Sequence, residues 1–263
     1  MPIATAPLLI DAPSIPAAPR FGLLSAAQIV DGPDPHWVDG IEYPTTPRPH
    51  AVTDDVECDQ PDLADLISGV DWVTDAPLRV WSGLTSKIAG WTADEIISRA
   101  RDMLTAGEGT ALERSLWPLI ADPATLPAGD DPVSLLAGIG AVEAWLWESY
   151  GGVGVVHVPR TAVPYLARAH QVREVNGQLR TPLGTVVSAG AYPGRGPDDE
   201  APAAGATWIA ATAAVELRRT PIRTQPTFNH RDNTLTAVAD RVYVPSWENL
   251  AAAAHIQLDP EAP

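Results

Sequence analysis

The chain has 263 residues, 45% hydrophobic and 19% charged, which is enough apolar material for a buried core and too much for a disordered polymer. Its 17 Lys+Arg against 33 Asp+Glu leave a net charge of −16, which excludes a dedicated nucleic-acid binder, because affinity for phosphate needs a cationic face. Cys58 is the only cysteine, so neither an intrachain disulfide nor a cysteine-based metal site is expected.

Residues 1–60 are rich in Pro, Asp and Thr and lack sustained periodicity. The 27 prolines, about twice the usual share, predict extended arms and loops rather than a helical bundle. Yet Phe21, Leu23, Leu24, Ile29, Val30, Trp37 and Tyr43 are too apolar for a solvated linker. They imply an arm whose apolar residues are buried against something else. Residues 1–20 lack the basic start and continuous apolar stretch of an export signal. No run approaches ~18 apolar residues, so no membrane-crossing helix is expected, and a soluble product of a cytoplasm is the default.

The charge is uneven. Residues 1–150 hold 7 Lys+Arg and 23 Asp+Glu, whereas 151–263 hold 10 of each. Most of the excess lies between Asp31 and Asp75. That stretch reads as a solvated acidic loop, or as an acidic face that repels polyanions or meets an arginine-rich partner surface.

Asp62–Val70 suits a short helix, and Leu78–Trp81 alternates like a strand. Thr92 with Glu95 forms a capping box before Ile96, Ile97, Ala100, Met103 and Leu104 at helical spacing. Gly107 and Gly109 weaken the pattern, which resumes through Ala111, Leu112, Leu116 and Trp117 before Pro118. One long interrupted helix, or two stacked ones, would result. Pro123–Pro132 is a loop, and Val133–Tyr150 is a second helix. Val153–Val158 is a buried strand, and Pro159–His170 a helix with Pro near its start. Asn176-Gly177 marks a hairpin within Val172–Leu179. Thr185–Ser188 is a strand and Ala191–Gly205 a long loop. Trp208–Leu217, Arg219–Thr224, Leu235–Val244 and His255–Leu258 complete a β-rich C-terminal part. The order argues α+β rather than βαβ repeats.

Candidate chemistry is sparse. Gly151-Gly152-Val153-Gly154 ends a helix and opens a strand, the reverse of a phosphate-binding loop. His36, His50, His157, His170, His230 and His255 lack metal spacing, and His157 reads as a satisfied core residue. Ser188-Ala189-Gly190 lacks the leading glycine of a hydrolase elbow. Glu57 and Asp59 beside Cys58 disfavour a thiolate. Carboxylates over 31–75 are numerous enough for an acid–base pair, but the region reads as an arm, not a pocket floor. The nine tryptophans are not interleaved with cations, so core and subunit-contact roles are expected. No catalytic, cofactor-binding or metal site is assigned, and the chain is not expected to be an enzyme.

From Glu143 onward the order resembles the later part of Hong Kong 97-type major capsid proteins of tailed bacteriophages. The resemblance rests on VVHVPRTAVPYLARA (Val155–Ala169), Gly177-Gln178-Leu179, Gly184-Thr185-Val186-Val187 and Tyr192-Pro193-Gly194. It continues in TWIAATAAVELRR (Thr207–Arg219) and NTLTAVADRVYV (Asn233–Val244), then Ala251–Ala254 and Ile256-Gln257-Leu258. Upstream, Ala111–Trp117 resembles the spine-helix region of actinobacteriophage structural proteins, as does the Arg-rich, Lys-poor composition. The resemblance implies an N-terminal arm over 1–50, an extended loop over 51–85, and a peripheral domain with the spine helix over 86–130 and 207–244. It implies an axial domain over 131–206 and a C-terminal segment over 245–263. It implies a major capsid protein that self-assembles into pentamers and hexamers of an icosahedral head around double-stranded DNA. The implied location is the virion, assembled in the host cytoplasm. The implied partners are the chain itself, scaffolding, portal or decoration proteins, and DNA held non-specifically, with no membrane. The alternatives are an encapsulin-like shell protein or another head or connector part. Lys87, the only lysine, is the only possible lysine donor for the Lys–Asn isopeptide bond that the family sometimes forms; otherwise it is an ordinary surface residue.

Overall fold

A computed structural model of the chain describes residues 21–32, 39–49, 51, 69–88, 91–122 and 124–258. Residues 1–20 and 33–38 of the arm expected over 1–50, the expected helix from Asp62 up to residue 68, and His50 and Cys58 lie outside the described residues.

The described chain opens with a helical turn, Leu23–Ala26 (α1), and a strand, Gln28–Asp31 (β1). Ile41–Pro44 (β2) and Trp72–Asp75 (β3) pair antiparallel, with Pro44 opposite Trp72, so the two ends of the intervening stretch are held together. The strand expected at LRVW runs on to Lys87: β4 is Leu78–Lys87, because alternation of covered and open positions continues along its length.

Ala93–Ala121 (α2) is one continuous 29-residue helix, about 43 Å long at 1.5 Å per residue. The capping box forms as expected: the Thr92 side chain accepts from Glu95 N–H, and Glu95 Oε2 accepts from Thr92 N–H at 2.7 Å. Neither Gly107 nor Gly109 breaks the helix, and Pro118 lies inside it. Burial explains this: Ile96, Ala100, Leu104, Leu112, Leu116, Trp117 and Ile120 form one nearly solvent-free stripe whose packing outweighs the glycine and proline penalties.

Val133–Ser134 (β5) pairs with the C-terminal strand, so the second helix starts later than expected, at Leu135–Ser149 (α3), with Ser134 Oγ accepting from Ala137 N–H. Val155–Pro159 (β6) leads through a 3-10 turn, Arg160–Ala162, into Val163–Arg168 (α4). Arg173–Val175 (β7) and Gln178–Arg180 (β8) form the hairpin foreseen at Asn176-Gly177, both at positive φ (51° and 80°), as a two-residue mirror-image turn requires. Val186–Gly190 (β9), Ala206–Thr212 (β10), Glu216–Arg219 (β11), Arg223–Asn229 (β12), Thr234–Ser246 (β13) and Ala251–Gln257 (β14) follow.

Two larger sheets result. In one, β13 is flanked by β4 on one side and by β12 and then β11 on the other, with β1 parallel to β11. The other has seven strands in the order β5-β14-β10-β6-β9-β8-β7. It is covered on both faces. Trp208, Ala210, Ala251 and Ala253 pack with α2, whereas Ile209, Ala211, Ala254 and Ile256 pack with α3. Alanine is what a strand covered by helices on both sides can accommodate closely. α2 touches β4 and β13 of the first sheet as well as β9, β10 and β14 of the second, and so bridges them. The boundary expected at 206/207 falls inside β10, and β14 from the expected C-terminal segment pairs along all of β10.

Candidate functional site

The fully buried histidine of β6 serves structure. His157 on β6 has Tyr192 OH 3.0 Å from Nδ1 and Thr212 Oγ1 2.9 Å from Nε2. Thr212 Oγ1 donates to Ala213 O at 2.9 Å, so its oxygen receives the proton of Nε2, and Nδ1 accepts from Tyr192. Ser188 Oγ lies 2.7 Å from Tyr192 OH and completes the chain as donor. Full burial pushes the imidazole pKa down to about 3, so the ring stays neutral and every polar atom is satisfied. Ser188 has no open face to meet a substrate. Gly151–Gly154 forms the helix-to-strand turn between α3 and β6.

The buried carboxylates act as fasteners. Glu113 on α2 accepts from Leu23 N–H at 2.9 Å and from Ala191 N–H at 2.6 Å. It thus ties the chain's entry at α1 and the exit of β9 to the spine. Gly22 and Gly190 allow this approach, since a Cβ at either would collide with the carboxylate. Glu108 accepts from Tyr243 OH at 2.8 Å and lies 3.5 Å from Arg241, binding α2 to β13. Glu143 on α3 accepts from Thr181 and Thr185 hydroxyls at 2.5 and 2.7 Å, which fixes the turn between β8 and β9. None of these was singled out from sequence. The signal was available: Leu104-Glu108-Leu112 and Gly109-Glu113-Trp117 repeat at i, i+4, so each carboxylate lies in phase with the apolar stripe.

The stretch around β2 is tied down elsewhere. Tyr43 OH donates to Asp75 at 2.7 Å and accepts from Glu248 N–H at 3.2 Å. Burial raises the Asp75 pKa above the usual carboxylate range, and burial beside Asp75 raises that of the Tyr43 phenol. Glu248, in the turn before β14, also holds Thr46 and pairs with Arg48 at 3.0 Å. Of the acidic residues within 31–75 considered for an acid–base pair, those at 33–38 and 52–68 lie outside the described residues. Among the described residues, no three His, Cys, Asp or Glu side chains cluster as metal ligands.

Apolar and cationic groups stand out on two parts of the surface. Trp147 and Leu183, 76% and 80% exposed, flank a groove of about 730 Å³ between α3 and the turn before β9, lined also by Leu136, Ile139 and Val153. Such a patch on a lone subunit marks a contact surface. The outer face of β4 presents Arg79, Trp81, Thr85 and Lys87, with Arg223 and Gln225 of β12 across β13. Of the nine tryptophans, Trp117, Trp208 and Trp247 are buried, whereas Trp72, Trp81 and Trp147 stand open. The core role is thus filled by three of them.

No family model and no curated protein matches the chain. Solved structures do. An encapsulin complex of Synechococcus elongatus aligns with TM-score 0.55 at 10% identity, over 98% of this chain and 95% of that one. The capsid of a native GTA particle aligns with TM-score 0.55 at 11% identity, over 97% and 95%. The head of a Helicobacter pylori bacteriophage aligns with TM-score 0.54 at 11% identity, over 96% and 95%. A structure from a Microbacterium phage gives TM-score 0.53 at 13% identity, over 96% of each chain. The architecture is therefore an α+β fold shared with these proteins. It is the Hong Kong 97-type fold, the fold expected from the sequence.

Proposed function

We propose that the chain is the major capsid protein of a tailed bacteriophage, with copies assembled into pentamers and hexamers of an icosahedral head around double-stranded DNA. The observation that carries this reading is the match in fold over at least 95% of both chains to a capsid and a phage head. The surface agrees: open Trp147, Leu183, Trp72 and Trp81 suit a subunit whose apolar area is covered by its neighbours. A structural, non-enzymatic role accords with buried polar groups that are committed to one another. The Arg-rich, Lys-poor composition and the Microbacterium phage match support an actinobacterial host.

In this reading residues 1–50 are the arm, 51–85 the extended loop, and 86–130 with 207–244 the peripheral domain. Residues 131–206 are the axial domain and 245–263 the C-terminal segment. The shell forms in the host cytoplasm, with scaffolding, portal and decoration proteins as further partners. The acidic excess of residues 1–150 faces the lumen, where it keeps DNA from adhering. A second reading, an encapsulin-like compartment, is favoured by the encapsulin match, whose TM-score equals that of the GTA capsid.

Expression of the chain followed by size exclusion and negative-stain microscopy tests the reading. Closed shells are expected; small rings would instead indicate a connector, and a monodisperse 27.8 kDa monomer would reject assembly. DNA within particles isolated from lysed host cells separates a phage head from a compartment holding protein cargo.

A further inference from the structure

The groove beside α3 and the chain that precedes Phe21 match in shape and chemistry. On its outward side α3 carries Leu136, Gly140, Ala144 and Trp147, about 16 Å from first to last at 1.5 Å per residue. Leu136 and Trp147, 57% and 76% exposed, stand at the two ends. A Cβ added at Gly140 would meet nothing within 4 Å, so the floor between them is low. Leu183, 80% exposed, forms the facing wall. Among the lining residues only Glu143 is titratable, and Thr181 and Thr185 take its two oxygens. The trough therefore suits an uncharged, apolar occupant, to which the open indole offers a flat face and an N–H donor.

A sequence of that kind lies just upstream. Pro7, Ile10, Pro13, Pro16 and Pro19 recur at every third position. Polyproline II has three residues per turn, so such a helix would carry all five along one edge. Leu9, Ala12, Ile15 and Ala18 would share a second edge, and the polar Asp11, Ser14 and Arg20 all fall on the third. Pro13 to Pro19 would span about 19 Å at 3.1 Å per residue, close to the length of the trough. Proline-rich segments of this period dock in aromatic-lined grooves because they are already stiff and lose little entropy on binding.

Connectivity decides whose segment it is. Ala189 N–H donates to Phe21 O at 2.5 Å, and Phe21 packs on the apolar cluster that contains Ile139 and Leu146, which line the trough. From Ala189 back to Thr185 at the trough's rim is about 13 Å of extended chain. From Phe21 back to Pro16 is about 15 Å as polyproline II. A tethered segment within reach has an effective concentration in the millimolar range, which a free second copy would have to exceed. We infer that the Pro13–Pro19 segment docks as a polyproline II helix in the Leu136–Trp147–Leu183 groove of its own copy, before any neighbour is met. The docking goes beyond the shell reading and stands without it.

Two full-length variants test this, at a dilution where size exclusion shows single copies. In the first, Cys58→Ser removes the native thiol and Ile15→Cys is combined with Leu183→Cys. Oxidation should close a disulfide within one chain roughly tenfold faster than when Ile15→Cys is combined with Met103→Cys, an exposed position on α2 across the seven-stranded sheet. Equal rates at the two positions would show a wandering arm and overturn the inference. A disulfide-linked dimer in place of the closed monomer would show that a second copy's arm fills the groove, and overturns it too. The second variant carries Pro13→Gly, Pro16→Gly and Pro19→Gly, which leave every residue of the groove in place. Hydroxyl-radical oxidation of Trp147, read by mass spectrometry, should rise roughly threefold or more once the stiff segment is lost. Labelling of Trp147 equal to that in the native chain would overturn the inference. Neither readout needs particles to form, so a failure of shell assembly leaves both results standing.

Discussion

Replacing Glu113 by alanine tests whether the spine helix is fastened through a buried carboxylate. Glu113 is 6% exposed, and its oxygens accept from Leu23 N–H and Ala191 N–H at 2.9 and 2.6 Å. Glu113→Ala removes the acceptors of both buried amides. Each orphaned buried donor costs ~1–3 kcal/mol, so the pair should cost ~2–6 kcal/mol. For a chain of this size 1 kcal/mol lowers Tm by about 2–4 °C, so a loss near the middle of that range lowers it by about 8–16 °C. Thermal unfolding followed by circular dichroism reads the shift. Hydrogen exchange at the Leu23 and Ala191 amides should show both losing protection before the rest of the fold does. A Glu113→Ala chain within about 1 kcal/mol of its parent, with both amides still protected, would refute the reasoning.

Three further outcomes are expected. His157 folds with a pKa of about 3 against an ordinary 6.5, so the folded state binds fewer protons than the unfolded. Its contribution is therefore complete above pH ~6.5 and is lost as pH falls towards ~3, by ~1.4 kcal/mol per unit. His157→Phe should flatten the pH dependence of stability by about one proton over that interval, as measured by urea unfolding across the pH range; an unchanged slope would contradict the assignment. Tyr243→Phe takes the 2.8 Å donor from Glu108 and leaves it only Arg241, at a cost of ~1–3 kcal/mol in the same assay. Tyr43→Phe breaks the link between Asp75 and the Glu248 turn, so residues 41–48 should become sensitive to limited proteolysis while Tm moves by less than for Glu113→Ala.

The parts of the fold legible in the sequence were those governed by local chemistry. The Thr92–Glu95 box, the Asn176-Gly177 hairpin and the order of helices and strands each depend on residues close in the chain. What local chemistry missed was decided by distant packing. Pro118 looked like a stop, yet Ile120 and Ala121 are buried, and their packing carries the helix past it. Val133 and Ser134 looked helical, but pairing with Ile256 and Gln257 makes them a strand. The outward cationic face was invisible because Arg223 lies far in sequence from Arg79 and Lys87 of β4 and joins them only through the register of β4, β13 and β12. The buried glutamates were legible in principle. A charged residue at i, i+4 within an apolar stripe must find partners, and Glu108 and Glu113 both do.

Those fasteners also bear on why this subunit suits repetition. A hydrophobic interface between helix and sheet tolerates small slides, because apolar contacts are non-directional. Glu108, Glu113 and Glu143 each join a helix to another element through directed hydrogen bonds, so they fix position and angle where packing alone would not. Burying three carboxylates costs desolvation that apolar residues would avoid, so stability alone does not explain their presence. On the capsid reading proposed above, a closed shell supplies the reason. In such a shell each copy would have to meet its neighbours at a set angle, and an error in the angle between the two sheets would accumulate around a ring. The bridge between those sheets is α2, and two of the three fasteners sit on it. The open surfaces, Trp147 with Leu183 and the Arg79–Arg223 face, are carried on elements that this helix or its sheet partners hold in place. Rigid internal joints and open external faces are thus complementary requirements of the same tile.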